Sequence, residues 1–134
     1  MKLIVCLDDK GGMAFAGRRQ SRDRLLCNRI CEITGGSRVL MSEPSYKLFE
    51  NPSSRLVASP EFLKIAGSSD YCFTETDSPA AFAENIEEII IYRWNRVYPS
   101  DLKFDIPLDS YTLKSTYEFK GNSHDKITEE VYTR

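Results

Sequence analysis

The chain contains 134 residues, of which 41% are hydrophobic and 28% are charged. We expect one domain over residues 1–134, because most domains hold roughly 100–150 residues, and the composition excludes a wholly disordered chain. The 18 basic and 20 acidic side chains give a net charge of −2. This balance excludes a generally basic nucleic-acid-binding protein, although a local basic patch remains compatible with it.

The first apolar run, Leu3 to Leu7, lacks the features of a targeting segment. A secretory signal needs roughly 7–15 apolar residues and a small-residue cleavage site. No segment approaches the roughly 20 apolar residues of a membrane-spanning helix. We therefore expect a cytoplasmic protein that does not enter the membrane.

The sequence has four cysteines, for which buried thiols and a zinc site are alternative interpretations. Three of them lie in apolar runs, where a reduced cysteine behaves as a small hydrophobic residue. Cys27 and Cys31 are four residues apart and would share one helix face. A zinc site needs two further ligands, and the only histidine is His124. We expect buried thiols and no metal.

Strands and helices are predicted to alternate through the first half of the chain. Lys2 to Leu7 is a continuous apolar run, typical of a buried strand, and Gly11-Gly12 then break regular structure. A helix is predicted after Ser21, its N-cap, because apolar residues recur three and four positions apart up to Gly35-Gly36. Five shorter elements follow: strand 37–41, helix 44–50, strand 55–58, helix 59–67 and strand 71–74.

The second half begins with a predicted helix over 79–85 and the strongest strand signal of the chain, Glu88 to Trp94. Segments 111–119 and 127–132 then alternate apolar and polar residues around Gly121-Asn122-Ser123, as in a half-exposed antiparallel hairpin. The pattern predicts an α/β domain with a mixed, mainly parallel sheet and a C-terminal antiparallel hairpin.

In this order, the segments resemble dihydrofolate reductase along most of the chain. The strongest part runs from Glu88 to Phe104 and matches, without a gap, the family's stretch that ends in Gly-Asp-Thr-x-Phe. The other matching parts are Leu3 to Asp8 with Gly12-Met13 (first strand and mobile loop), Gln20 to Leu26 (helix start), Arg38 to Met41 (second strand), Ser100 to Phe104 (the motif itself) and Tyr111 to Tyr132 (closing hairpin). The resemblance implies a compact, shortened dihydrofolate reductase-like domain.

The chain is also similar to a group of short bacterial proteins often labelled "ribonuclease Z". The enzymes to which that label properly belongs use a His-x-His-x-Asp-His zinc motif in a much larger β-lactamase-like fold. A single histidine, His124, cannot supply that motif. An RNA- or DNA-processing role is therefore kept only as an alternative.

The resemblance places Asp23 at the family's acidic residue, which donates a proton near the pterin ring. The other interpretation is a helix first-turn carboxylate favoured by the helix dipole. Arg22 and Arg24 would keep this carboxylate ionised, whereas a proton donor benefits from a raised pKa. The family's threonine partner of the acid falls at Tyr92, so the same hydrogen bond cannot form.

Three features with which the family holds NADPH are missing. The Gly-Gly pair after strand 71–74 is replaced by Glu75-Thr76. The Gly-Arg pair after the second strand is Ser42-Glu43, and a glutamate beside phosphates repels them. The third strand lacks the arginine that selects the extra phosphate of NADPH. We therefore expect no cofactor and a lost reductase activity.

Arginines and aromatic residues around the first helix form the candidate ligand site. Arginine suits the bidentate binding of phosphate or carboxylate, and aromatic rings stack on planar groups. Three interpretations remain open: an ordinary solvated helix face, a site for an anionic small molecule or nucleotide, and a nucleic-acid surface. The candidate residues are Arg18, Arg19, Arg22, Tyr92, Arg93 and Trp94, with Arg24, Arg29, Arg96 and Tyr98 nearby.

From these residues we expect a binding module for an anionic small molecule, a nucleotide or a protein partner, without membrane binding. The alternative is an enzyme that uses Asp23 as acid or base in an arginine-rich cleft. His124 lies in a polar turn and is expected at the surface, because no nucleophile is placed beside it by sequence spacing.

Overall fold

A seven-stranded sheet forms the centre of the protein in the computed structural model, which describes residues 1–134. Its strand order is β5-β4-β6-β1-β7-β10-β9, and β3-β2-β8 form a smaller second sheet. The strands are β1 (Lys2–Leu7), β2 (Gly12–Phe15), β3 (Arg18–Arg19), β4 (Val39–Met41), β5 (Leu56–Ala58), β6 (Tyr71–Phe73), β7 (Glu88–Arg93), β8 (Leu102–Lys103), β9 (Thr112–Phe119) and β10 (Ile127–Thr133). The α-helices are α1 (Arg24–Thr34), α2 (Glu43–Tyr46) and α3 (Phe62–Ile65), and 3-10 turns cover Ala80–Asn85 and Leu108–Ser110.

The main sheet is parallel except at its C-terminal side. Strand β1 pairs in parallel with both β6 and β7, so that Leu3 lies between Cys72 and Ile89. The hairpin β9–β10 runs antiparallel and joins β7 through β10. The predicted mixed, mainly parallel sheet with a C-terminal antiparallel hairpin is therefore confirmed. Because the sheet uses strands from both ends of the chain, all elements belong to one unit.

Alternate residues of the central strands supply two apolar clusters, one on each face of the sheet. Leu3 and Val5 of β1 belong to the cluster that packs against α3. Ile4 and Cys6 point to the other face, against Ile30 and its neighbours on α1. The near-continuous apolar sequence of β1 follows from this arrangement, since a parallel strand that is covered on both faces needs apolar residues at every position.

The second sheet was not predicted from the sequence. Its strands are two to four residues long and follow the Gly11-Gly12 break, where Gly11 has a φ of +76°. Such short strands carry no readable alternation of apolar and polar residues. The helices predicted over 44–50, 59–67 and 79–85 are also shorter than expected, and the last is a 3-10 helix.

Three of the four cysteines are buried: Cys6, Cys27 and Cys72; Cys31 is half-buried, and all four are free thiols. Burial raises the pKa of Cys27 and of Cys72 to about 12. These thiols therefore stay protonated at neutral pH and act as packing residues. Separately, none of the helices combines the length and apolar character needed to cross a membrane.

Replacing Ile91 with alanine tests the central position of β7. Ile91 is fully buried between β1 and β10, so the cavity left behind should lower the free energy of unfolding by about 2–5 kcal/mol. Ile65→Ala is the matched control, because about half of Ile65 is exposed. Its loss of unfolding free energy should be well under half of the loss in I91A. Urea unfolding of both variants measures the difference, and equal losses would contradict the buried position of β7.

Candidate functional site

Asp23 begins α1 as its N-cap residue. Its backbone is extended, with φ −155° and ψ 125°, and its Oδ1 accepts hydrogen bonds from the amides of Leu25 and Leu26 at 2.9 and 3.2 Å. The expected assignment of Ser21 as the N-cap was wrong. Aspartate is as good a cap as serine, and the sequence alone offered both residues at neighbouring positions.

The loop between β9 and β10 lies directly on this carboxylate. The amides of Asn122 and Ser123 donate to the two oxygens of Asp23 at 2.8 and 2.9 Å. The loop approaches closely because residue 121 is glycine: a Cβ there would lie 2.9 Å from Cγ of Asp23 and from Cδ1 of Ile127. The start of α1 and the closing hairpin are therefore joined by one side chain.

His124 completes the contacts of Asp23. Its Nδ1 lies 2.9 Å from Oδ2 of Asp23, and its Nε2 lies 2.9 Å from Oγ of Ser21 and 3.2 Å from the hydroxyl of Tyr98. The ring stacks on Trp94 at 4.4 Å between centroids, and only 3% of the residue is exposed. The expectation of a surface histidine was wrong, because its partners come from two distant segments of the chain, residues 21–23 and 94–98.

Hydrogen bonds keep the buried Asp23 ionised. Burial by itself raises the pKa of this carboxyl, but the amide of Asn122, the ring of His124 and the amides of Ser123 and Leu26 outweigh it and lower the pKa to about 2. A carboxyl with this pKa is a poor proton donor at neutral pH. The arginines at 22 and 24, which were expected to hold it ionised, make no ion pair with it.

Beside this network lies a cavity of about 450 Å³, called here the helix-start cavity. Its basic side chains, Arg22, Arg24 and Lys47, are exposed and none of them forms an ion pair. Arg24 donates to the side-chain oxygen of Asn122 at 3.0 Å. The lining contains two carboxylates, Glu50 and Asp23, and the oxygens of Asp23 already accept hydrogen bonds from the protein. Three basic side chains against two acidic ones give the cavity an excess of positive charge.

Arg18 and Arg19 line a different cavity, of about 340 Å³, at the ends of β4 and β6. Glu75 lies there almost fully buried and accepts from Nε of Arg19 at 3.1 Å and from the hydroxyl of Ser45 at 2.8 Å. Burial raises the pKa of Glu75, and Arg19 and Ser45 oppose that shift. Of the two arginines, only Arg18 is exposed and unpaired.

Three further candidates lie in neither cavity. Tyr92 is fully buried, and its hydroxyl donates to Glu129, which also pairs with Arg29. Arg93 pairs with Glu130 of β10 at 3.0 Å. Trp94 is buried beneath the ring of His124. The expected single cluster is therefore wrong: the sequence showed the positive charges but not the carboxylates that neutralise them.

No protein-family model and no curated protein sequence matches the chain. Among solved structures, "dihydrofolate reductase from Enterococcus faecalis complexed with NADP(H) and RAB-propyl" matches 99% of this chain and 95% of its own, with a TM-score of 0.67 and 13% sequence identity. The fold is that of dihydrofolate reductase.

The segment that resembles the reductase motif, Ser100 to Phe104, contains β8. The motif residue Asp101 accepts from the amide of Ala16 at 3.1 Å, and its own amide donates to the carbonyl of Ala14. These bonds hold the loop after β2 against the chain that leads into β8.

Gly121→Ala should weaken the junction between the hairpin loop and α1. The new methyl group would collide with Asp23 and Ile127, and relieving such overpacking costs about 1–3 kcal/mol of unfolding free energy. Gly36→Ala is the matched control, because nothing lies within 4 Å of its Cβ position. Thermal unfolding of both variants gives the comparison, and a G121A protein as stable as G36A would refute the close approach.

Asp23→Asn should remove a pH-dependent part of the stability. The folded pKa of about 2 lies below the ordinary 3.8, so the ionised carboxylate stabilises the fold above pH 4 and loses this effect as the pH falls towards 2. The difference in unfolding free energy between the wild type and D23N should therefore shrink by about 2 kcal/mol between pH 6 and pH 2. Urea unfolding across this range tests it, with the exposed Asp125→Asn as control; a constant difference would contradict it.

Proposed function

We propose that this protein is a binding module on a dihydrofolate reductase-like fold, whose ligand is an anionic small molecule or a nucleotide. The observation that carries the proposal is the helix-start cavity, where Arg22, Arg24 and Lys47 all lack an ion-pair partner. By contrast, Arg19, Arg29 and Arg93 are each neutralised by a carboxylate. Uncompensated arginines on a concave surface favour phosphate or carboxylate groups, which they bind in bidentate fashion.

We also infer that the module does not use NADPH, although the similar reductase was solved in complex with NADP(H). The ends of β4 and β6 carry Ser42-Glu43 and Glu75-Thr76 in place of glycine-containing pairs. Glu75 brings a buried carboxylate to this edge and ties it to Arg19. A dinucleotide phosphate there would meet a negative charge, and its Arg19 contact would compete with that ion pair. These residues do not fit the cofactor.

A second candidate is an enzyme in which Asp23 takes part through a neighbour. The low pKa of Asp23 argues against direct proton donation, but its bond to Nδ1 of His124 orients an imidazole whose Nε2 contacts a hydroxyl. Imidazole is the commonest general base in proteins. The binding module depends on the unpaired basic side chains of the helix-start cavity, whereas the enzyme depends on the contacts of His124. The two candidates therefore need separate tests.

Thermal unfolding with added ligands tests the binding module. The probes are pyrophosphate, ATP, folate, NADPH and a short single-stranded RNA, each added to the full chain at low salt. A ligand at one hundred times its dissociation constant adds about 2.7 kcal/mol of stability, which raises the melting temperature by several degrees for a domain of this size. We expect that rise with pyrophosphate, ATP or folate.

The double variant R22Q/R24Q should lose that rise while its melting temperature without ligand stays within a degree or two of the wild type. The matched control is K10Q/K114Q, which removes two exposed positive charges that do not line the helix-start cavity and should respond like the wild type. A rise with NADPH together with a reductase rate, a rise with RNA alone, or no rise with any probe would each overturn the proposal.

A further inference from the structure

Ser21, His124 and Asp23 form a continuous relay of hydrogen bonds from a hydroxyl to a buried carboxylate. Both links measure 2.9 Å: Ser21 Oγ to Nε2 of His124, and Nδ1 of His124 to Oδ2 of Asp23. An ionised carboxylate only accepts, so Nδ1 carries the proton of the neutral ring. Nε2 is then left with its lone pair directed at the hydroxyl group of Ser21.

The imidazole of this relay has a fixed orientation. One face of the His124 ring stacks on Trp94 with 25° between the planes, and the ring is buried. Asp23 in turn is fixed by the amides of Leu25, Asn122 and Ser123. A nucleophile, a base and a group that orients the base are the three parts that nucleophilic catalysis requires.

Backbone donors are available next to the hydroxyl. The amides of Ser21 and Arg22 make no hydrogen bond to any protein acceptor. In acyl transfer the amide of the nucleophile and a nearby amide stabilise the oxyanion of the tetrahedral intermediate. Ser21 is only half-buried, while the base and carboxylate behind it are enclosed.

We propose that Ser21 is a nucleophile for acyl transfer from an anionic carboxylic ester, with His124 as its general base and Asp23 as a positioning residue. The negative charge of the substrate is inferred from Arg22 and Arg24, which lie one and three residues after the nucleophile and carry no ion pair. The inference rests on the second candidate function, the enzyme, and does not require tight binding of an anion. A negative thermal-shift result would therefore overturn the binding module alone, and a negative labelling result would overturn this inference alone.

The reaction balances with these groups and water. Oγ of Ser21 bonds to the ester carbonyl carbon, and its proton passes to Nε2 of His124. The bond from that carbon to the alkoxy oxygen breaks, and the alkoxide leaves with the proton from Nε2. Water then attacks the acyl carbon and gives one proton to Nε2. The bond from that carbon to Oγ breaks as Oγ regains this proton, and the product leaves as a carboxylic acid that loses its remaining proton to the solvent.

Tyr98 competes with Ser21 for the same nitrogen. Its hydroxyl lies 3.2 Å from Nε2, compared with 2.9 Å for Ser21. When the Tyr98 hydroxyl donates to Nε2, the lone pair is no longer available as a base. Removing this hydroxyl in Tyr98→Phe should therefore make Ser21 more reactive, whereas a purely structural network would only be weakened by the change.

Covalent labelling of the full chain with a fluorophosphonate tests the proposal. Attack by Oγ forms an oxygen–phosphorus bond and releases fluoride, so intact mass measures the extent and peptide mapping gives the site. We expect one label, on Ser21, in the wild type and no label in S21A. Ser54→Ala, which removes an exposed hydroxyl in the turn before β5, should be labelled like the wild type.

Variants of the relay separate chemistry from folding. Thermal unfolding first establishes that each protein is folded; H124A and D23N should then be labelled at least tenfold more slowly, and Y98F faster. Added imidazole should restore labelling in H124A, because the space beside Trp94 admits the missing ring. No label in the wild type, a label on another residue, or unchanged rates in H124A would overturn the proposal.

Discussion

The carboxylate of Asp23 is the interaction on which the rest of the site depends. It accepts from the amides that start α1, from the amides of Asn122 and Ser123, and from the ring of His124, so it joins segments about a hundred positions apart in sequence. Each partner left unsatisfied in a buried place costs roughly 1–3 kcal/mol. The helix-start cavity and the serine–histidine contact both exist because this one side chain fixes the distance between helix and hairpin.

Elsewhere in the molecule, several arginines are neutralised by ion pairs and are therefore not free to bind a ligand. Arg29 is paired with Glu129, Arg93 with Glu130 and Arg38 with Asp70. These contacts cross between elements, where they fix register and orientation at little net gain in stability. Arg22 and Arg24 at the start of α1 keep their positive charges free of such pairs, although the chain as a whole is slightly acidic.

The main strands and the mixed, mainly parallel character of the sheet could be predicted from the sequence, because runs such as Lys2 to Leu7 and Glu88 to Arg93 show their strand character in their own residues. The candidate site was only partly predictable. Asp23 was a candidate from the sequence, but its partner His124 belongs to a polar turn whose sequence resembles any exposed loop. Burial of that histidine depends on Trp94 and Tyr98 closing over it, and such contacts have no signature in spacing or composition.

The central position of β1 in the sheet affects how the chain folds. Its neighbours are β6 and β7, so Lys2 finds its partners only at Tyr71 and Glu88. During synthesis the most apolar strand is made first and stays without partners until most of the chain has been produced. Long-range pairing of this kind slows folding and leaves an aggregation-prone segment exposed meanwhile. Chains truncated before β7 leave β1 without that partner and should therefore depend on chaperones more than the 134-residue chain does.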